Sequence, residues 1–239
     1  VSAPAVVLLH GFAGTGHGWD AVAGRLERYT AQAPDLRGHG SASGARPISF
    51  ATIVDDVLAG APRRFALCGY SMGGRIALHV ALAAPERVGR LVLVSTTAGI
   101  ADDDERAARR AADEALAAGI ERDGLDAFAQ RWLAQPLFAA DPPAARARAR
   151  ADIARCTPAG LAAALRGAGT GVMAPLWDRL GELAMPCEIL VGEADAKFRA
   201  LGEQLASGVA DARLTVVPGA GHALPRIAPG AVASVVDAA

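Results

Sequence analysis

The sequence predicts an α/β fold, with a mostly parallel sheet of about six strands and helices on both faces. Three observations predict it. Largely apolar runs of strand length recur at residues 5–9, 64–68, 91–95, 187–191 and 213–217. Segments with apolar residues at helical spacing separate them, as at 50–59 and 72–83. The strand-like runs lack polar alternation, which is the pattern of strands buried on both faces. Strands separated by helices imply right-handed crossovers and therefore a parallel sheet.

Taken in order, the first strand ends at His10-Gly11, and residues 20–29 show helical spacing through Val22, Leu26 and Tyr29. A short strand near 30–33 leads into the turn-rich stretch Asp35-Leu36-Arg37-Gly38-His39-Gly40-Ser41. Helix 50–59, strand 64–68 and helix 72–83 follow, the last stopping before Pro85. After strand 91–95 the rhythm changes. From Gly99 to about Leu176 the pattern is nearly all helical, at 101–118, 122–134, 143–156 and 158–166, with breaks at Gly119, Pro136, Pro142-Pro143 and Pro158. This stretch is expected to be a helical lid inserted after the fourth strand, so that residues 1–98 and 177–239 form the core and 99–176 the lid. Its charged run 102–110 reads as a solvated helix face. Strand 187–191, helix 198–207, strand 213–217 and a last helix at 229–237 complete the core.

Composition narrows the function. A chain of 239 residues with 52% hydrophobic and 21% charged residues can bury a large core. A net charge of −1 offers no footprint for nucleic acid or an anionic membrane. No apolar run reaches the roughly 18–20 residues of a membrane helix, and no signal peptide opens the chain, so a cytoplasmic location is expected. Cys68, Cys156 and Cys187 lack metal-ligand spacing and read as reduced structural thiols. The chain is rich in alanine and arginine, and Lys197 is its only lysine. A single arginine therefore says little unless its position does.

The chemistry centres on Gly69-Tyr70-Ser71-Met72-Gly73-Gly74, which leaves a strand and opens a helix. A tight strand-to-helix turn needs small flanking residues and projects the serine hydroxyl above the sheet. Helix amides beside it can stabilise developing negative charge. Such a serine needs a base, and the base an orienting acid. Asp195, in Gly192-Glu193-Ala194-Asp195, and His222, in Gly219-Ala220-Gly221-His222, both follow strands, where open α/β sheets place their sites. The expected triad is Ser71, Asp195 and His222, with Glu193 a rival acid read as structural. His10-Gly11-Phe12 follows the first strand, and the backbone amides of Phe12 and Met72 are assigned to the oxyanion hole. His10 and His39 read as loop-shaping, and His17 and His79 as bland. Arg75 lies one helical turn after Ser71. Either it pairs with a neighbouring carboxylate, or it holds a substrate anion beside the nucleophile.

The elbow and triad resemble the α/β-hydrolase superfamily along the entire chain, a likeness that fixes a fold without choosing a reaction. Narrower features go further. They are Leu9-His10-Gly11-Phe12 with Trp19 downstream, the elbow continued to Arg75, Arg109 four before Asp113, and Trp132-Leu133-Ala134-Gln135-Pro136-Leu137-Phe138. Leu165-Arg166-Gly167 leading to Gly169-Thr170-Gly171, and Gly192–Ala200 with Lys197, Phe198 and Arg199, add to them. Together these resemble the 2-succinyl-6-hydroxy-2,4-cyclohexadiene-1-carboxylate (SHCHC) synthases of menaquinone biosynthesis, from about Val6 to the C-terminus. The resemblance implies a lyase that eliminates pyruvate from 2-succinyl-5-enolpyruvyl-6-hydroxy-3-cyclohexene-1-carboxylate, with no metal or organic cofactor. Ser71, activated by His222 and Asp195, would then act as a base on a carbon-bound proton. Family positions map onto Tyr70, Arg75, Arg109, Trp132 and Arg155 as substrate-binding residues, with Arg150 an alternative to Arg155. Lys197 and Arg199 either bind substrate or pin the acid loop. A carboxylate-rich substrate suits arginine's planar fork. One departure is that the first core strand begins by Ala5, leaving little room for the antiparallel strands that open many such sheets.

Two other functions remain open at this point. A serine hydrolase acting on a small ester or a carbon–carbon bond needs only the triad. A non-catalytic sensor would keep the fold and bind a ligand beneath the lid.

Overall fold

The computed structural model describes residues 3–238. Six strands form one all-parallel sheet in the order β2-β1-β3-β4-β5-β6. They are β1 (Ala5–Leu9), β2 (Thr30–Gln32), β3 (Phe65–Tyr70), β4 (Val88–Val94), β5 (Cys187–Gly192) and β6 (Ala212–Val217). Successive side chains serve opposite faces. Leu9, Leu67, Leu91 and Ile189 enter one apolar layer, while Leu8, Cys68, Val92 and Leu190 enter the other. Both layers are covered, which is why the strands read as unbroken apolar runs.

Nine α-helices accompany the sheet among the described residues. In the first half they are α1 (Asp20–Ala23), α2 (Phe50–Gly60) and α3 (Met72–Ala83). Then come α4 (Asp103–Leu133), α5 (Pro143–Ala154) and α6 (Pro158–Ala168), all between β4 and β5. Helices α7 (Ala196–Gly208), α8 (Leu224–Ile227) and α9 (Pro229–Asp237) close the chain. Ile53, Ile76 and Leu205 of α2, α3 and α7 pack on the first sheet face, and Val22 and Val232 of α1 and α9 on the second. A third apolar cluster, including Ile120, Phe128, Ile153 and Leu161, belongs to α4, α5 and α6. Thr15 donates to the buried Asp152 carboxylate at 2.7 Å and ties that cluster to the loop after β1. No helix among the described residues is long and apolar enough to cross a membrane.

Two local expectations are corrected. The segment 20–29 is helical only to Ala23, because Gly24 caps α1 with its amide on the Asp20 and Val22 carbonyls. Leu26 and Tyr29 still pack on the second sheet face from a non-helical chain, so their spacing reported burial rather than helix. The break in the charged helix falls at Gly124, not Gly119. Gly124 takes φ +78°, a left-handed conformation that glycine alone adopts without cost, whereas Gly119 stays inside the helix.

Candidate active site

Four strands release their loops at one edge of the sheet: β1 into Gly11 and Phe12, β3 into Ser71, β5 into Asp195 and β6 into His222. Ser71 sits at φ +52°, ψ −109°, a strained geometry for a residue with a side chain. The turn is over-determined by its surroundings. The Ser71 amide donates to the Val94 carbonyl at 2.9 Å, and Thr96 donates its hydroxyl to the Ser71 carbonyl at 2.7 Å. A Cβ on Gly69 would fall on the main chain of Gly73, and one on Gly73 would fall on the Leu9 carbonyl. The small flanks of the elbow are thus a packing requirement of β1 against β3 and α3.

The three polar groups meet. Asp195 accepts from His222 Nδ1–H at 2.7 Å, which leaves Nε2 of the neutral ring free to accept the Ser71 hydroxyl at 3.2 Å. Asp195 also caps α7, its other oxygen accepting the Phe198 amide at 3.3 Å. His222 is only 1% exposed. Burial pushes its pKa below the ordinary 6.5 and outweighs the opposing pull of Asp195, so the imidazole is a neutral base at pH 7. The rings of Tyr70, Phe138 and Phe198 surround it at 5.4, 6.2 and 4.3 Å between centroids. Glu193 accepts the Gly219 amide at 2.8 Å and so braces the β6 loop rather than the imidazole.

The Phe12 and Met72 amides find no acceptor among the described residues, and both residues line the cavity that holds Ser71. Gly11 lies so close over the elbow that a Cβ there would touch the Tyr70 ring at 2.8 Å. The Phe12 side chain points the other way, edge-on to Phe128 and Trp132 at 6.1 and 5.3 Å. His10 accepts the Leu36 amide at 3.0 Å through Nε2, which fixes Nδ1–H on the Gly11 carbonyl at 2.9 Å. Buried beside His39, it shapes the loop as expected. His79 donates to the Arg75 carbonyl at 2.8 Å, and His17 is exposed.

A cavity of about 770 Å³ opens over Ser71 and His222. Tyr70, Arg75, Arg109, Trp132 and Lys197 all line it, the lysine from an exposed position. Arg75 is 6% exposed and donates to the Ala168 carbonyl at 2.9 Å; no carboxylate among the described residues stands within ion-pair distance. Burial and then the charge of Arg109 push its pKa down, to about 9, so it remains a cation at pH 7. Arg109 donates through Nε to Asp113 at 2.8 Å, and Asp113 accepts the Gly171 amide at 3.4 Å. Burial pushes the Tyr70 phenol up to about 12, against the pull of Arg226.

Arg155 and Arg199 do not join them. Arg155 caps the end of α5, whose inner face is Ala149, Asp152 and Ile153, and it is exposed outside the cavity. Arg199 is exposed on α7, which turns Gly202 and Leu205 inward. Arg150 is also exposed, in a separate groove with Gln130 and Arg146. The cavity instead receives Arg226, which sequence reasoning passed over. The available signal was its offset, four residues after His222, as Arg75 is four after Ser71.

Comparisons with known proteins agree with this architecture. The alpha/beta hydrolase family model matches residues 6–235. A protein of Bacillus subtilis (strain 168), provisionally named a 2-succinyl-6-hydroxy-2,4-cyclohexadiene-1-carboxylate synthase, is 38% identical over 231 residues, which cover 91% of this chain and 83% of that protein. A synthase of the same name from Klebsiella pneumoniae (strain ATCC 700721 / MGH 78578) is 33% identical, over 96% of this chain and 90% of its own. The structure of MenH from S. aureus superposes with a TM-score of 0.93 at 28% identity, covering 99% of this chain and 93% of that one. A malate-bound thermophilic esterase from Thermogutta terrifontis superposes at 0.85 and 26% identity, covering 98% and 88%.

Proposed function

The chain belongs to the alpha/beta hydrolase family and, within it, to the SHCHC synthases, and we propose that it is a lyase of menaquinone biosynthesis. It eliminates pyruvate from 2-succinyl-5-enolpyruvyl-6-hydroxy-3-cyclohexene-1-carboxylate to give SHCHC. The observation that carries this reading is the meeting, in one cavity, of the hydrogen-bonded Ser71–His222–Asp195 chain with the cationic pair Arg75 and Arg109. The substrate bears a carboxylate on each of its succinyl, enolpyruvyl and ring parts. Arg109 lies close enough to Arg75 to depress its pKa after burial, with Asp113 opposing only in part, and a bound carboxylate would relieve the remaining repulsion. An apolar ester gives no such relief.

The reaction begins at the ring carbon beside the succinyl carbonyl. His222 takes the Ser71 proton on Nε2, and the Ser71 oxygen removes the carbon-bound proton. Asp195 holds the imidazole in the required tautomer and stabilises the imidazolium that forms. The electron pair spreads onto the succinyl carbonyl oxygen, which the Phe12 and Met72 amides receive. As the pair returns through the ring, the carbon–oxygen bond to the enolpyruvyl group breaks. The leaving enolate takes a proton and becomes pyruvate. Tyr70 and Trp132 wall the ring, and Lys197 stands at the rim.

Residues 99–176 serve as a lid over a core made of 1–98 and 177–239. The lid supplies Arg109, Trp132 and Phe138 to the cavity and keeps bulk water from the carbanion. An anionic, water-soluble substrate fits a cytoplasmic enzyme.

The same serine geometry also fits an ester hydrolase, and an esterase is among the structural neighbours. The test is pyruvate release from the enolpyruvyl substrate, measured beside hydrolysis of p-nitrophenyl acetate. Pyruvate is expected to dominate. Efficient ester cleavage with no pyruvate would make the chain a hydrolase.

A further inference from the structure

Of the guanidiniums that line the catalytic cavity, Arg226 has the fewest commitments. Arg75 is held by the Ala168 carbonyl and Arg109 by Asp113. Arg226 has no carboxylate within ion-pair distance among the described residues, and its Nε is buried without a hydrogen-bond partner. Its backbone is nonetheless fixed. The Arg226 amide donates to Ala223 at 2.8 Å, and its carbonyl accepts Arg148 at 2.9 Å. The guanidinium carbon lies 5.9 Å from the ring centres of both Tyr70 and Phe138, two walls that also face His222. A guanidinium that lines the cavity between two aromatic rings, with no carboxylate partner among the described residues, is organised for an anion that arrives from the cavity.

A second orphan lies nearby. Asp141, 4% exposed in the segment after Phe138, has both carboxylate oxygens buried and without a hydrogen-bond partner among the described residues. Burial pushes the pKa of that carboxylate up, and Arg226 provides the largest opposing attraction, ahead of His222 and Arg146. The two charges therefore balance at a distance without closing into an ion pair. Such an arrangement leaves the Arg226 guanidinium without a closed ion pair among the described residues.

We propose that Arg226 binds a substrate carboxylate on the His222 side of the cavity, a second anionic subsite separate from Arg75 and Arg109. This rests on the lyase reading. It adds that the substrate is held at two cationic poles with the reacting carbon between them, which fixes its orientation against Ser71. The chemistry fits either the carboxylate of the leaving three-carbon unit or that of the succinyl chain.

The test compares the wild-type chain with Arg226→Gln and Arg226→Lys. A charged hydrogen bond contributes enough that its loss should raise the KM for the enolpyruvyl substrate about 10- to 100-fold, with kcat changed far less. Lysine should recover part of the loss. Calorimetric titration of pyruvate and of succinate, each alone, gives a readout independent of turnover. Weakened binding of pyruvate alone assigns Arg226 to the leaving unit, and of succinate alone to the succinyl chain; either result supports the subsite. If Arg226→Gln fails to fold, Arg226→Lys carries both measurements, with a smaller expected loss. Unchanged KM together with unchanged binding of both acids overturns the proposal and leaves the lyase reading intact. A wild-type chain that releases no pyruvate overturns the lyase reading, while the titrations still judge the subsite.

Discussion

On the sheet side of the cavity, Gly69 and Gly73 stand where any Cβ would meet main chain, and Ser71 holds a left-handed turn. On the opposite side, α4 to α6 present alanine-rich helices whose arginines differ only in which way they point. The first surface is fixed by backbone geometry, and in the proposed mechanism its chemistry is proton transfer. The second is fixed by side-chain direction, and in the proposed reading it selects the substrate. A fold can therefore keep its catalytic floor while its helical side changes the molecule that is processed.

The largest expected effect comes from the floor. In the proposed mechanism Ser71→Ala removes the group that receives the carbon-bound proton, and it should lower kcat about 1,000-fold or more, with KM nearly unchanged. His222→Ala should match it, and the double variant should be little worse, because the two act as one unit. Additive losses in steady-state kinetics would break the unity of the floor. A sensor that needs no catalysis would keep its function in either variant.

Next comes the helical side's partner on α3. Arg75→Ala should raise KM about 10- to 100-fold while kcat falls only slightly, the reverse of the serine variant. Its guanidinium lies in the cavity without a carboxylate partner among the described residues, so truncation leaves no orphaned charge behind. A large fall in kcat with unchanged KM would move Arg75 into the proton-transfer machinery and erase the division between the two sides.

This division also explains what the sequence disclosed. The strands, the elbow and the chain order of Ser71, Asp195 and His222 were legible because each answers to a backbone constraint: burial on both faces, small flanking residues, loops at strand ends. The helical segment was legible as helix but not as surface. Arg155 and Arg199 match by spacing, yet a rotation of about 100° per residue around a helix decides whether an arginine meets the cavity or solvent. Low amphipathicity on the Ala- and Arg-rich α5 leaves that rotation unreadable for Arg155. Arg226 escaped for the opposite reason, since it sits on a single helical turn after His222 where no long pattern marks a face. The kink at Gly124 was missed because Gly119 carries the same signal, and φ alone distinguishes them.

A smaller effect is expected from acid. Burial holds the folded-state pKa of His222 below 6.5, so the base stays neutral as pH falls through that value. The profile of kcat/KM should lose less than about twofold between pH 8 and 6.5, then fall about tenfold per unit below the depressed pKa. Stability should follow the same sign. His10 and His39 are buried with pKa values near 4 and 3. The unfolded chain binds protons at these histidines from about 6.5 downward while the folded chain does not, so their stabilisation is complete above pH 6.5 and is lost as pH drops toward 3. Urea unfolding midpoints at pH 8, 6 and 4 check this. An acid limb at or above 6.5 would mean that the floor is wetter than its geometry indicates.

The smallest effect should be the most discriminating between pattern and placement. Arg155 occupies a position that family resemblance assigns to the substrate, but here it caps α5 on the solvent side, with only a long-range pull on Asp152. An exposed guanidinium outside the cavity cannot contribute a desolvated contact, and screened surface charges act weakly. Arg155→Ala should therefore leave KM and kcat within about twofold of wild type. If KM instead rises as far as in Arg75→Ala, the helical side must close further over the bound substrate and carry Arg155 inward. The spacing would then have reported the liganded arrangement, with α5 as the element that moves.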